Sequence, residues 1–170
     1  MPARPLSVFE IFRLGIGPSS SHTVGPMRAA RHFTSELALV CGVAGTDSGA
    51  EVADSVAPAE NVRPARILTE LMGSLGATGH GHSTDRAVVL GLAGYEPETV
   101  PLAAVKGIID DVAATGVIDI PSVGPVPFVL ERDMQFVPRV ILPYHANGMT
   151  MRALAASGEV MLERTYYSVG

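Results

Sequence analysis

The chain predicts an α+β fold, helices packed on a mixed or antiparallel β-sheet and finished by a C-terminal β-hairpin. Three observations carry that expectation. Apolar residues recur at helical steps through the first two thirds, β-rich segments take over after Gly116, and two alternating runs, Met149 to Ala155 and Val160 to Val169, flank Ser157-Gly158 like hairpin arms. Helices and strands grouped along the chain, rather than alternating one for one, fit helices packed on a mixed or antiparallel sheet. With 170 residues, 47% of them hydrophobic, the chain is long enough for one domain with a real core and too short for two ordinary ones. Residues 1–170 are therefore expected to form a single unit.

Ser7 to Leu14 (SVFEIFRL) reads as one or two turns of helix. From Val24 onward, Met27, Ala30, Phe33, Leu37, Val40 and Cys41 fall on one face of a helix running to about Val40, with Gly42 as its stop. Gly42 to Asn61 is small and acidic and reads as a surface loop. RILTELM, Arg66 to Met72, is ambiguous: Leu, Glu and Met favour helix, while the short span between Pro64 and Gly73 suits a buried strand. RAVVLGLAG reads as a short buried helix ending near Gly94, with Ser83 or Thr84 as its N-cap. Leu102 to Ala114 forms another helix with Val105, Ile108, Ile109 and Val112 on one side, and VIDI, PFVL and MQFVPRVIL then read as strands.

Composition removes several function classes. The net charge is -5, Lys106 is the only lysine, and the arginines are scattered from Arg4 to Arg164, which argues against nucleic acid or an anionic membrane as partner. No stretch approaches the roughly 18 apolar residues of a membrane span, and MPARPLSVFE lacks the apolar centre of a signal peptide, so a cytoplasmic protein is expected. Cys41 is the sole cysteine, which excludes an internal disulfide, a zinc ribbon, or an iron-sulfur cluster held by this chain alone.

Two polar segments carry the candidate chemistry. GPSSSHTVGP places Ser19, Ser20, Ser21, His22 and Thr23 between two Gly/Pro pairs, immediately before a helix. A helix start offers unpaired backbone N–H groups and the positive end of the dipole, so this run suits a carboxylate or phosphate. Thr23 or Ser21 is the expected cap, and Pro26 falls in the first turn, where its missing N–H costs little. GHGHSTD repeats the theme. In an extended loop His80 and His82 would point the same way, yet no acidic or thiol cluster nearby completes a metal site, and Asp85 is better placed as a dipole partner. A histidine in such a loop suits acid/base or anchoring work near neutral pH. His32 reads as surface, and His145 in LPYHANGM has no single reading.

SVFEIFRLGIGPSSSHTVGPMRAARHF, GSLGATGHGHSTDRAVVLGLAGYEP, LPYHANGM and RTYYSVG, in this order, resemble the N-terminal (β) domain of bacterial iron-sulfur-dependent L-serine dehydratases, from about Leu6 to Gly170. The allosteric substrate-binding domain of some phosphoglycerate dehydrogenases shares the fold that the resemblance implies, α+β with a small mixed β-sheet packed with helices, and on it RILTELM becomes a strand. The resemblance further implies conversion of L-serine to pyruvate and ammonia with a 4Fe-4S cluster, held by cysteines of a catalytic (α) domain. His82 aligns with the loop histidine of the family and is the expected catalytic base; Ser19, Ser20, Ser21, His22 and Thr23 are the expected substrate-binding residues. The sequence departs from the family pattern at His80, where a lysine is common, at Ser83, and in the length of the Gly42 to Asn61 segment.

The partners so implied are L-serine and a catalytic α domain or subunit, in an oligomeric enzyme, with this chain inactive alone. The alternative is a regulatory module that binds serine or another anion away from the chemistry. A third reading, an oligomerisation domain using the apolar hairpin, leaves the polar segments without a purpose.

Overall fold

The computed structural model describes residues 19–42 and 63–169. The expected Ser7 to Leu14 helix and nearly all of the Gly42 to Asn61 loop lie outside those residues. Among the described residues, five helices (α1 Gly25–Val40, α2 Gly73–Thr78, α3 Thr84–Leu92, α4 Leu102–Thr115, α5 Leu130–Asp133) accompany six strands (β1 Arg66–Met72, β2 Val117–Ile120, β3 Gly124–Pro127, β4 Met134–Val137, β5 Gly148–Leu154, β6 Val160–Tyr167). A π turn, Ser20–Val24, leads into α1, and a 3-10 turn, His80–His82, separates α2 from α3.

The main sheet is mixed, as expected, in the order β4-β1-β5-β6. β4 runs parallel to β1, with Thr69 opposite Met134, while β1 to β5 and β5 to β6 are antiparallel, with Leu71 opposite Met149 and Gly148 opposite Tyr167. β2 and β3 form a separate antiparallel pair. RILTELM is a strand because its alternate residues Ile67, Thr69 and Leu71 are fully buried on the sheet's inner face, a period-2 demand that outweighs the helix propensity of Leu and Glu.

The core lies between this face and the helices. Phe33 and Leu37 of α1, Val88, Val89 and Leu92 of α3, and Met149, Met151 and Ala153 of β5 belong to one buried cluster with Ile118 and Phe128. A smaller cluster of Met27, Ala87, Leu90 and Val105 ties α1 and α3 to α4. The apolar face of α1 differs from expectation at one place: Val40 is exposed and Thr34 is buried instead, its hydroxyl donating to the Ala30 carbonyl. No helix among the described residues is long and apolar enough to cross a membrane.

One strand lies three residues earlier than the sequence indicates, at Gly124–Pro127 rather than PFVL, and another is shorter. PFVL leaves the ladder after Pro127, because its next residues turn into α5, where Asp133 accepts the Val129 N–H at 2.8 Å. MQFVPRVIL stops pairing at Val137, where Pro138 removes the next donor and restricts the residue before it. Asp133 is fully buried and also accepts from Arg66 Nε at 2.5 Å and Arg132 Nε at 2.9 Å. Burial alone would raise its pKa, but the hydrogen bonds from Arg132, the Val129 N–H and Arg66 win and hold it below the usual carboxylate range. Asp133→Ala strands these donors and is expected to cost about 3 kcal/mol, read by urea unfolding.

Candidate functional site

β1 and β4 end, β5 begins and β6 ends on the same side of the sheet, since Met72 pairs with Val137 and Gly148 with Tyr167. The polar residues collect off that side, beyond the carboxyl ends of the parallel pair, where open α/β sheets commonly hold ligands. Four segments meet there: the Ser20–Val24 turn, the start of α2, the His80–His82 turn, and the stretches flanking β5 and β6.

His22 is the hub. Its Nδ1 lies 3.1 Å from Ser21 Oγ and 3.3 Å from Ser19 Oγ, and its Nε2 lies 3.1 Å from Ser74 Oγ. Every one of these partners is a hydroxyl that donates or accepts by rotating, so either imidazole tautomer is satisfied without moving the ring. The backbone beneath is pinned from two sides. Thr84 Oγ1 donates to the His22 carbonyl at 2.7 Å, and Ser168 Oγ donates to the Ser21 carbonyl at 2.6 Å. Ser168 is itself held by Asn147, whose carbonyl accepts its N–H at 2.9 Å and whose Nδ2 donates to its carbonyl at 3.1 Å. Gly25 is needed for this close approach, because a Cβ there would sit 1.9 Å from Ser168 Oγ.

From Ser19 onward this segment is therefore not an open loop capped by a side chain. It winds into a π turn continuous with α1, neither Thr23 nor Ser21 caps the helix, and the Thr23 hydroxyl turns back to donate to the Ser19 carbonyl. From this turn His22 faces α2 through Ser74 and α3 through Thr84, and π segments are frequent at functional sites. Thr23 is buried under the turn, whereas Ser20 is exposed and Ser19, Ser21 and His22 are half-buried.

His82 joins the hub from the second polar segment, with its ring centroid 5.1 Å from that of His22. Its Nδ1 is buried with no hydrogen-bond partner, a state that costs about 1–3 kcal/mol until a partner arrives. His80 and His82 do not point the same way, because GHGHSTD forms a 3-10 turn rather than an extended loop. His80 stacks on Phe136 at 3.7 Å, with its Nδ1 3.6 Å from Asp85 Oδ2. Ser83 ends the turn in the left-handed region at φ 59, and that reversal separates the histidine pair from α3. His32 is on the surface beside Glu36, and His145 Nδ1 accepts the Asn147 N–H at 3.0 Å, a structural use.

Burial, followed by the nearby His82, lowers the pKa of His22, and the hydrogen bond with Ser74 offsets this only in part. The sign follows directly. Between the lowered folded pKa and the ordinary value the unfolded chain binds more protons, so stability falls as pH drops through that window and is regained above it. Thermal unfolding is expected to shift down between pH 7.5 and 5.5, on the order of the ordinary histidine range, and His22→Gln is expected to flatten that difference.

Sequence reasoning missed Ser74, Ser168, Asn147 and the Thr84 hydroxyl as parts of this site, although GSLGATGHGHSTD and RTYYSVG contain three of them. Among the described residues no group of three or more His, Cys, Asp or Glu gathers to hold a metal ion. Cys41 is buried at the end of α1, inside the core. These residues do not fit an iron-sulfur cluster as ligands.

Fold and site together define an α+β fold that presents a histidine pair and a ring of hydroxyls at one end of a mixed sheet. The family profile described as "Serine dehydratase beta chain" matches residues 7–170. The chain is 46% identical to the L-serine dehydratase of Streptomyces coelicolor over 165 residues, 42% identical to that of Mycobacterium tuberculosis, and 39% identical to L-serine dehydratase 1 of Escherichia coli. Each match covers 97% of this chain and 32% of the relative, so the chain spans about a third of their length. The chain belongs to the serine dehydratase beta chain family.

Proposed function

We propose that this chain is the β part of an L-serine dehydratase, an ammonia-lyase of the cytoplasm that converts L-serine to pyruvate and ammonia. The observation that carries the reading is the His22–His82 pair, ringed by Ser19, Ser21 and Ser74, in a member of this family. In the reaction a base takes the Cα proton of serine, the Cβ hydroxyl leaves as water, and the enamine tautomerises and hydrolyses. His82, whose Nδ1 has no protein partner, is the base in this reading; the Ser19 to His22 turn and Ser74 bind the carboxylate through hydroxyl and N–H donors. The lowered pKa keeps His22 neutral near pH 7, so the pair does not meet as two cations.

The 4Fe-4S cluster belongs in this proposal to the catalytic part, since this chain's single buried cysteine offers no ligand set. The site is accordingly shared. The test joins this chain to the two thirds of the Streptomyces coelicolor enzyme that it does not match, prepared without oxygen. Pyruvate release from L-serine by that chimera, and none by this chain alone, is the expected result. A chain that binds serine alone, with saturable NMR shifts at Ser19 to Thr23, and changes only the shape of the chimera's saturation curve when Ser19→Ala is introduced would favour a regulatory module instead.

A further inference from the structure

Resting on the reading of this chain as one part of a larger enzyme, we infer that the β4–β5 connection and the end of β6 form the surface on which the catalytic part docks. Val140, Ile141 and Tyr144 of that connection are 46%, 69% and 78% exposed, and Val169 beyond β6 is 63% exposed. They are one surface rather than scattered residues. Tyr144 packs against Tyr167 with ring centroids 5.1 Å apart, and Ser168 N–H donates to the Asn147 carbonyl. In PRVILPYHA, residues 138–146, Arg139 is the only formally charged side chain, the depletion of charge that marks the centre of a protein interface.

The same backbone frames the candidate site. The Val140 carbonyl accepts the Gly73 N–H at 2.8 Å and the Ala146 carbonyl accepts the Ser74 N–H at 2.9 Å, next to the hydroxyl that meets His22. A partner seated on the patch therefore borders the histidine site through Ser74, the residue whose hydroxyl meets His22. The occupant is the catalytic part because the relatives carry two thirds of their length beyond this match, and the family is described as one chain of a dehydratase.

Hydrogen exchange on the chain alone and on the chimera tests the surface. Amides of residues 139–146 and 167–169 are expected to exchange about tenfold or more slowly in the chimera, and Ile141→Glu with Tyr144→Glu is expected to abolish that protection while leaving β1 protected. Equal exchange in both proteins overturns the inference. So does protection already present in the chain alone, whether it disappears when residues 1–18 are removed, which makes the chain's own N-terminal segment the occupant, or on dilution, which makes it a second copy. The readout is independent of turnover. Protection without pyruvate leaves the surface standing and removes the serine reading, and pyruvate without protection removes the surface alone.

Discussion

His82→Ala in the chimera is expected to lower kcat for L-serine by about 10²–10⁴, the range a positioned acid/base group supplies. The substitution removes a half-buried ring whose Nδ1 bonds to nothing in the protein, so the fold loses little with it, and unfolding midpoints of the two proteins are expected to lie close together. Kinetic constants separate the possible roles. Loss confined to kcat, with KM unchanged, means that His82 acts only in the transition state, as a base does. A raised KM with kcat intact makes it a carboxylate anchor. Turnover unchanged in both constants takes His82 out of the mechanism and leaves His22, with its ring of hydroxyls, as the reactive group at this site.

Gly91→Val is expected to be the most damaging single change to the scaffold. Gly91 lies in α3 where that helix crosses α1, and a Cβ there would stand 2.2 Å from the Met27 carbonyl oxygen and 2.7 Å from the Ala30 Cβ. The first of these atoms is backbone inside a helix and has nowhere to go. Separating the helices would open the packing of Met27, Ala87 and Leu90 and break the approach of the Thr34 hydroxyl to the Gly91 carbonyl at 3.3 Å. Overpacking of this kind costs about 3 kcal/mol or more, and at this chain length that corresponds to a fall in Tm of roughly 6–12 °C, read by calorimetry. Because α1 follows directly from the Ser20–Val24 turn and α3 from the His80–His82 turn, the same change is expected to disturb the spacing of His22 and His82.

Much of the fold was legible because it rests on periodicity. The α1 and α4 spans, the buried α3 and the hairpin about Ser157-Gly158 follow from apolar spacing and turn residues, which local sequence states directly. β1 was not legible from its residues. Its strand state depends on β4 and β5 pairing on either side, and only the family resemblance resolved it at the level of sequence. The two polar segments were legible as candidates, since hydroxyls and histidines between glycines have few structural uses. Their conformations were not: a π turn and an open loop share the same composition, and a 3-10 turn sends His80 to Phe136 and His82 to His22.

The sequence by itself determined the α+β class, the helical and hairpin segments, the family, and the impossibility of a multi-cysteine cluster on this chain, because each depends on residue identity or on spacing within one segment. Tertiary structure alone decided that His22 meets Ser74 across fifty-two positions, that Ser168 holds the Ser21 carbonyl from the far end of the chain, and that one histidine of GHGHSTD enters the site while the other leaves it. The physical reason is that a hydrogen bond or ring contact between distant segments is fixed by where strand order and helix crossing bring them. No local propensity encodes that meeting.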